Sequence, residues 1–187
     1  MVEKKDDELA YKETSFFRML KRITIKRIII SGDFLFAFLL GIIFPVLCYL
    51  ADIVPKAIED LTIIFITLSG TMIAVSIAGL AIIVALADPE FVLLLKKSKP
   101  TGQKKGSVYD NILFFYRYST IISSLSIIFN LISRSYVLIS TNKNILTFLL
   151  GISVFLVMYS VFSVVFLVGT TMRFGLLRGY YLEKKEQ

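Results

Sequence analysis

Residues 118–133 read YSTIISSLSIIFNLIS, and the fold follows from how this stretch is interpreted. It contains no charged residue and is apolar enough for a bilayer, yet it carries Ser119, Ser123, Ser126, Asn130 and Ser133. Steps of 4, 3, 4 and 3 place all five in one narrow stripe of a helix. Ile121, Leu125, Ile128 and Ile132 lie on the other side. A hydroxyl or amide in hydrocarbon costs free energy unless it finds a partner, so this stripe must meet protein or water. Two readings stay open: the stripe packs helix against helix, or it lines a water-filled path on the axis of a homo-oligomer.

Working outward, residues 34–51, 61–87 and 144–172 are also free of charge. In a chain of 187 residues that is 56% hydrophobic and 19% charged, with a mean hydropathy of +0.77, such runs imply membrane spans. Crossing about 30 Å of hydrocarbon takes roughly 20 helical residues. The expected fold class is therefore all-α, a polytopic membrane protein with four transmembrane helices near 33–52, 61–87, 111–139 and 144–172. These form a domain over 32–175 with an inner loop at 88–110. Residues 1–13 read as a disordered charged arm, 14–31 as a basic amphipathic interfacial helix, and 176–187 as a cytoplasmic tail.

Lys and Arg set the orientation. The arm, the 88–110 loop with the nearby Arg117, and the tail hold 18 of the 21, leaving Lys56, Arg134 and Lys143 on the other side. The positive-inside rule then puts both termini in the cytoplasm. A long polar stretch before the first span, with no small-residue cleavage site after it, marks that span as a retained signal anchor. Arg18, Lys21, Arg22, Lys26 and Arg27 surround Phe16, Leu20 and Ile23, an arrangement suited to anionic lipid or a cytoplasmic partner protein. Direct nucleic-acid binding is not expected, because inside-positive bias already accounts for these charges.

The chemistry is sparse. With no His and a single cysteine, Cys48, the Ser-His and Cys-His dyads and the usual zinc sites cannot be assembled. No catalytic, cofactor or metal site is expected. Asp33 is the expected cap of the first span, Pro45 a kink within it, and 52–60 an outer turn joining spans one and two as an antiparallel hairpin. Span two presents Thr67, Thr71, Ala74, Ala78, Ala81 and Ala85 in one stripe, and Gly70, Ala74 and Ala78 have the small-xxx-small spacing of a close packing face. Asp88-Pro89-Glu90 reads as the start of a short surface helix over 89–97, with Phe91 and Leu94 or Leu95 dipping into the interface.

At 100° per residue Arg117 points away from the serine stripe, whereas Arg134 lies about 60° from its centre. Arg117 is thus an anchor. Arg134 is a possible outer mouth, or a partner for Asp52, Glu59 or Asp60. Span four adds Ser153, Ser160, Ser163 and Thr170. Serines on three spans exceed what one bundle interior readily absorbs, so self-association is expected, with a tetramer as the working number.

The run Ala78-Gly79-Leu80-Ala81-Ile82-Ile83-Val84-Ala85-Leu86-Ala87-Asp88-Pro89-Glu90-Phe91, taken with the four-span, basic-inside layout, resembles small membrane subunits of bacterial anti-phage systems. The four-span membrane component of the Kiwa system is the nearest of these. The resemblance implies a homo-oligomeric inner-membrane protein that senses or perturbs the membrane during phage attack, together with a cytoplasmic partner. A housekeeping ion or small-solute channel lined by span three is the alternative, and a non-conducting membrane scaffold is a third.

Overall fold

A computed structural model describes residues 31–98, 107–140 and 142–186. The described chain forms five helices and no strand: α1 (Gly32–Leu50), α2 (Val54–Ala85), α3 (Pro89–Lys97), α4 (Val108–Ile139) and α5 (Lys143–Glu186). All but α3 are long and apolar enough to cross a membrane. The charged arm (1–13) and, except for Ser31, the basic segment 14–31 with Arg18, Lys21, Arg22, Lys26 and Arg27 lie outside the described residues.

Local chemistry explains the boundaries. Ser31, rather than Asp33, caps α1, its Oγ accepting from the Phe34 N–H at 3.3 Å. Asp33 sits in the first turn, where its charge favours the helix dipole. The helix closes on Asp52 in the left-handed region (φ 59°). The Asp52 N–H reaches the Tyr49 carbonyl at 3.3 Å, and the Ile53 N–H reaches that of Cys48 at 3.1 Å. This is the paired closure usually made with glycine, and Asp is among the few residues that tolerate it. Its carboxylate also meets Lys143 Nζ at 2.7 Å, which holds the Asp52 carboxyl below its usual range.

The polar turn expected through residue 60 is only three residues long. Pro55 at the start of α2 favours helix immediately, so Lys56, Glu59 and Asp60 are helical. At the far end of the chain, the Asn142 Oδ1 accepts from Asn144 and Ile145 N–H groups at 3.2 and 3.4 Å, starting α5. With 44 residues, α5 is about 66 Å long and continues through the expected tail.

Spans one and two are consecutive but barely touch; α1 packs on α5 instead, while α2 packs on α4 and α5. The reason is a small-residue face, Ala37, Gly41, Pro45 and Cys48, all buried. A Cβ on Gly41 would stand 2.9 Å from Phe155 Cβ and 3.0 Å from the Gly151 carbonyl. The two backbones approach this closely only because both sides lack a side chain. Phe34 then packs edge-on against Phe155 and Tyr159, with centroids at 5.3 and 5.6 Å.

Two apolar clusters stabilise the bundle. One lies toward the end carrying the α1–α2 and α4–α5 turns and includes Val54, Ile58, Leu146 and Leu150. The other, at the α3 end, gathers Ile83, Phe91, Leu95, Ile112, Leu167 and Phe174.

Glycine substitutions separate the tight crossing from open helix surface. Gly41→Ala is expected to lower stability in detergent by about 1–3 kcal/mol through overpacking. Gly70→Ala, where an added Cβ meets nothing within 4 Å, is expected to be neutral or stabilising by up to about 1 kcal/mol. Unfolding of the two variants monitored by circular dichroism checks this, and equal effects would count against the crossing.

Candidate functional site

Hydroxyls recur every seventh residue on three helices: Thr62, Ser69 and Ser76 on α2; Ser119, Ser126 and Ser133 on α4; Ser153 and Ser160 on α5. All eight are buried. A seven-residue repeat keeps one face turned to a neighbour in left-handed helix packing. Between α2 and α4 the repeats run antiparallel and in register. Ser69 Oγ donates to Ser126 Oγ at 2.9 Å. One layer on, Ser76 Oγ lies 3.4 Å from Ser119 Oγ while donating to the Met72 carbonyl at 2.9 Å. Between α4 and α5, Ser133 and Ser153 hydroxyls meet at 3.2 Å.

Half of these hydroxyls are also satisfied on their own helix. Thr62 donates to Ile58, Ser133 to Phe129 and Ser160 to Val157 carbonyls. Asn130 Nδ2 donates to the Ser126 carbonyl at 2.8 Å. Ser123, fully buried, is the exception, its Oγ making no hydrogen bond among the described residues.

Its α3 end is closed. One repeat beyond Ser76, Ser119 and Leu167 stand Ile83, Ile112 and Phe174, members of one apolar cluster. Tyr116 crosses the bundle here. Its ring lies against Gly79, where a Cβ would come within 2.9 Å. Its hydroxyl bonds Thr171 on α5. Glycine at 79 is what lets α4 reach α5 beneath α2.

Thus Ser119, Ser123, Ser126, Asn130 and Ser133 all point into a single chain and meet α2 and α5. Apart from Ser123, the interior holds this stripe by pairing between helices and by back-bonding to its own helix. Arg117 is exposed on the opposite side of α4. Arg134 is exposed with no ion pair among the described residues. Asp52 is engaged instead by Lys143, which also lies 4.3 Å over the Tyr49 ring. Gly70 is half-buried, and Ala74 and Ala78 are exposed, as are Thr67, Thr71, Ala81 and Ala85. That small-residue stripe is not a packing face within the chain, because α2 turns its seven-residue hydroxyl repeat inward. The partner repeat at 62, 69 and 76 was readable from the same spacing.

The α3 end carries a second constellation. Phe91 and Leu95 bury themselves in protein rather than at the membrane surface, Phe91 meeting Phe174 edge-on at 5.3 Å and Tyr181 at 5.5 Å. Asp88 makes no capping bond; its Oδ2 pairs with Arg178 Nη2 at 3.2 Å. Glu90 accepts from the Tyr181 hydroxyl at 2.9 Å and from Lys185 Nζ. Lys185 first, then Tyr181, holds the Glu90 carboxyl below its usual range. These contacts clamp α3 onto the projecting part of α5. Comparison with protein-family models, curated proteins and solved structures gives no match.

A double-mutant cycle on Ser69→Ala and Ser126→Ala is expected to give a coupling of about 0.6 kcal/mol, the usual scale for such bonds in membranes. Ser126→Leu alone is expected to cost more, about 1–3 kcal/mol, by overfilling the seam. Thermal unfolding in detergent measures both. The clamp has a pH signature. Because the folded pKa of Glu90 is lowered, its contribution is complete above the ordinary carboxylate range and is lost as pH falls through that lowered value. The protection of α3 amides relative to their intrinsic exchange rate at each pH is expected to be constant near neutrality and to fall as pH drops through the lowered Glu90 value. Glu90→Gln is expected to exchange faster already at pH 7.

Proposed function

We propose that this chain is a multi-pass subunit of the bacterial cytoplasmic membrane that works by contact, as a sensing scaffold, and does not conduct along its third span. The observation that carries this reading is that the polar face of α4 is spent on α2 and α5 of the same chain. A hydroxyl already paired inside a closed bundle is not free to replace the hydration shell of an ion. This favours the scaffold over a channel lined by Ser119, Ser126 and Asn130.

Both termini lie in the cytoplasm in this reading, supported by the distribution of Lys and Arg. The α3 end then faces inward. Arg18, Lys21, Arg22, Lys26 and Arg27 bind anionic lipid, and the clamped α3–α5 surface receives a cytoplasmic partner protein. Self-association uses the outward small-residue stripe of α2, where Gly70, Ala74 and Ala78 offer backbone approach to a second copy, with a tetramer as the simplest closed assembly. In the anti-phage setting that the sequence resemblance implies, a phage-induced change in the membrane alters the packing of these copies. The α3–α5 clamp passes that change to the partner.

The reading is tested by reconstituting the purified protein in liposomes. Ion flux is expected to stay at the protein-free level. Flux that disappears in Ser126→Leu would restore the channel. In cells, Ala78→Leu is expected to weaken cross-linked oligomers and any phage protection together. Protection that survives loss of the oligomer would contradict the assembly mechanism. Lys104→Cys is expected to react with an impermeant thiol reagent only after the cells are opened.

A further inference from the structure

The first turns of α2 carry a cation and an anion that the chain itself does not use. Lys56 and Asp60 are exposed, and neither forms an ion pair among the described residues. Their direction singles them out. At 100° per residue, both lie within about 30° of the centre of the outward stripe of Thr67, Thr71, Ala74 and Ala78. Lys56, Asp60, Ile63, Thr67, Thr71 and Ala74 follow one another in steps of 4, 3, 4, 4 and 3, and all six are exposed. Charges and small-residue surface therefore form one continuous strip facing away from the bundle. The other charges at this end are turned elsewhere. Glu59 points about 90° from the strip's centre, Arg134 is on α4, and Asp52 is engaged by Lys143.

A strip that ends in opposite charges one turn apart is complementary to a second copy of itself. We propose that Lys56 and Asp60 form ion pairs between copies of this chain and set α2 against α2 in parallel register. Copies inserted in a membrane in the same sense run their α2 helices parallel, which brings Lys56 of one copy beside Asp60 of the next. The four-residue offset is about 6 Å of helix rise, a gap that the flexible four-carbon stem of lysine spans. In a two-fold pair the contact occurs twice, and in a closed ring of four each Lys56 meets the next copy's Asp60, so either closure leaves no charge unmatched. Farther along the strip, the Thr67 and Thr71 hydroxyls donate to the Ile63 and Thr67 carbonyls of their own helix at 2.9 and 3.0 Å. They need no acceptor from a neighbour, and the charges supply the alignment. The inference rests on the self-association through α2 proposed above, and it assigns the contact that fixes its register.

Two differently tagged full-length copies, co-expressed in membranes and recovered in mild detergent, test it, with helical circular dichroism checking that each variant is folded. Wild type is expected to co-purify with wild type. Lys56→Asp with itself, and Asp60→Lys with itself, each bring like charges together and are expected to reduce co-purification on the order of fivefold, the upper scale of an exposed ion pair. Lys56→Asp with Asp60→Lys sets acids against lysines and is expected to recover at least the wild-type level. Both the loss and the recovery are expected to shrink at high salt. Variants that associate with themselves as well as wild type does overturn the proposal. So does a mixed pair that stays as low as either variant alone, the result expected if Lys56 and Asp60 serve only their own helix. A wild type that does not co-purify with itself would overturn the association through α2 and this contact with it, whereas a wild type that associates while all charge variants match it overturns only the ion pair.

Discussion

Hydrocarbon offers no hydrogen-bond partners, and this constraint shapes the protein more than any other. A chain that places Ser119, Ser123, Ser126, Asn130 and Ser133 on one span must supply partners from its own helices or from enclosed water. Here the supply is a matching repeat. Thr62, Ser69 and Ser76 face α4 at the same seven-residue interval, and Ser153 and Ser160 come from α5. The shared seven-residue spacing brings Ser69 to Ser126 and Ser76 to Ser119 in one antiparallel register. Each cross-helix bond contributes little, but misalignment leaves several polar groups in hydrocarbon at once.

Around that seam the other helices take their places by shape and charge. Helix α1 has almost no polar surface to pair, so it is held by close backbone approach at Gly41 and Gly151 and by the aromatic stack of Phe34, Phe155 and Tyr159. Helix α3 is held the opposite way, by Asp88–Arg178 and by Glu90 with Lys185 and Tyr181 around a small aromatic core.

The sequence made the four spans legible because charge-free runs of sufficient length have few alternatives. It also made legible the stripe on α4, whose 4-3 spacing the structure turns inward as one face. What it hid were choices between two equally periodic faces. On α2 both Thr67-Thr71-Ala74-Ala78 and Thr62-Ser69-Ser76 repeat with helical spacing, and only the second matches α4 in antiparallel register. The exposed set had the stronger small-residue signature, which in lipid can serve a second chain as well as the first. The pairing of α1 with α5 was half legible: Ala37, Gly41, Pro45 and Cys48 recur at helical spacing on α1, whereas Gly151 on α5 stands alone and carries no periodic signal. Likewise Pro55 moved the start of α2 upstream of the charged residues that had suggested a turn.

The α3–α5 clamp and the closed seam together describe a bundle whose accessible surfaces are its rim and its ends. Its centre maintains register. The most direct test is the water accessibility of the seam. In a Cys48→Ala background, Ser126→Cys introduces a nearly isosteric thiol at the Ser69 contact. The account predicts that a water-soluble methanethiosulfonate fails to modify it in intact membranes from either side. Rapid modification by that reagent would mean that water fills the seam, and would contradict the account.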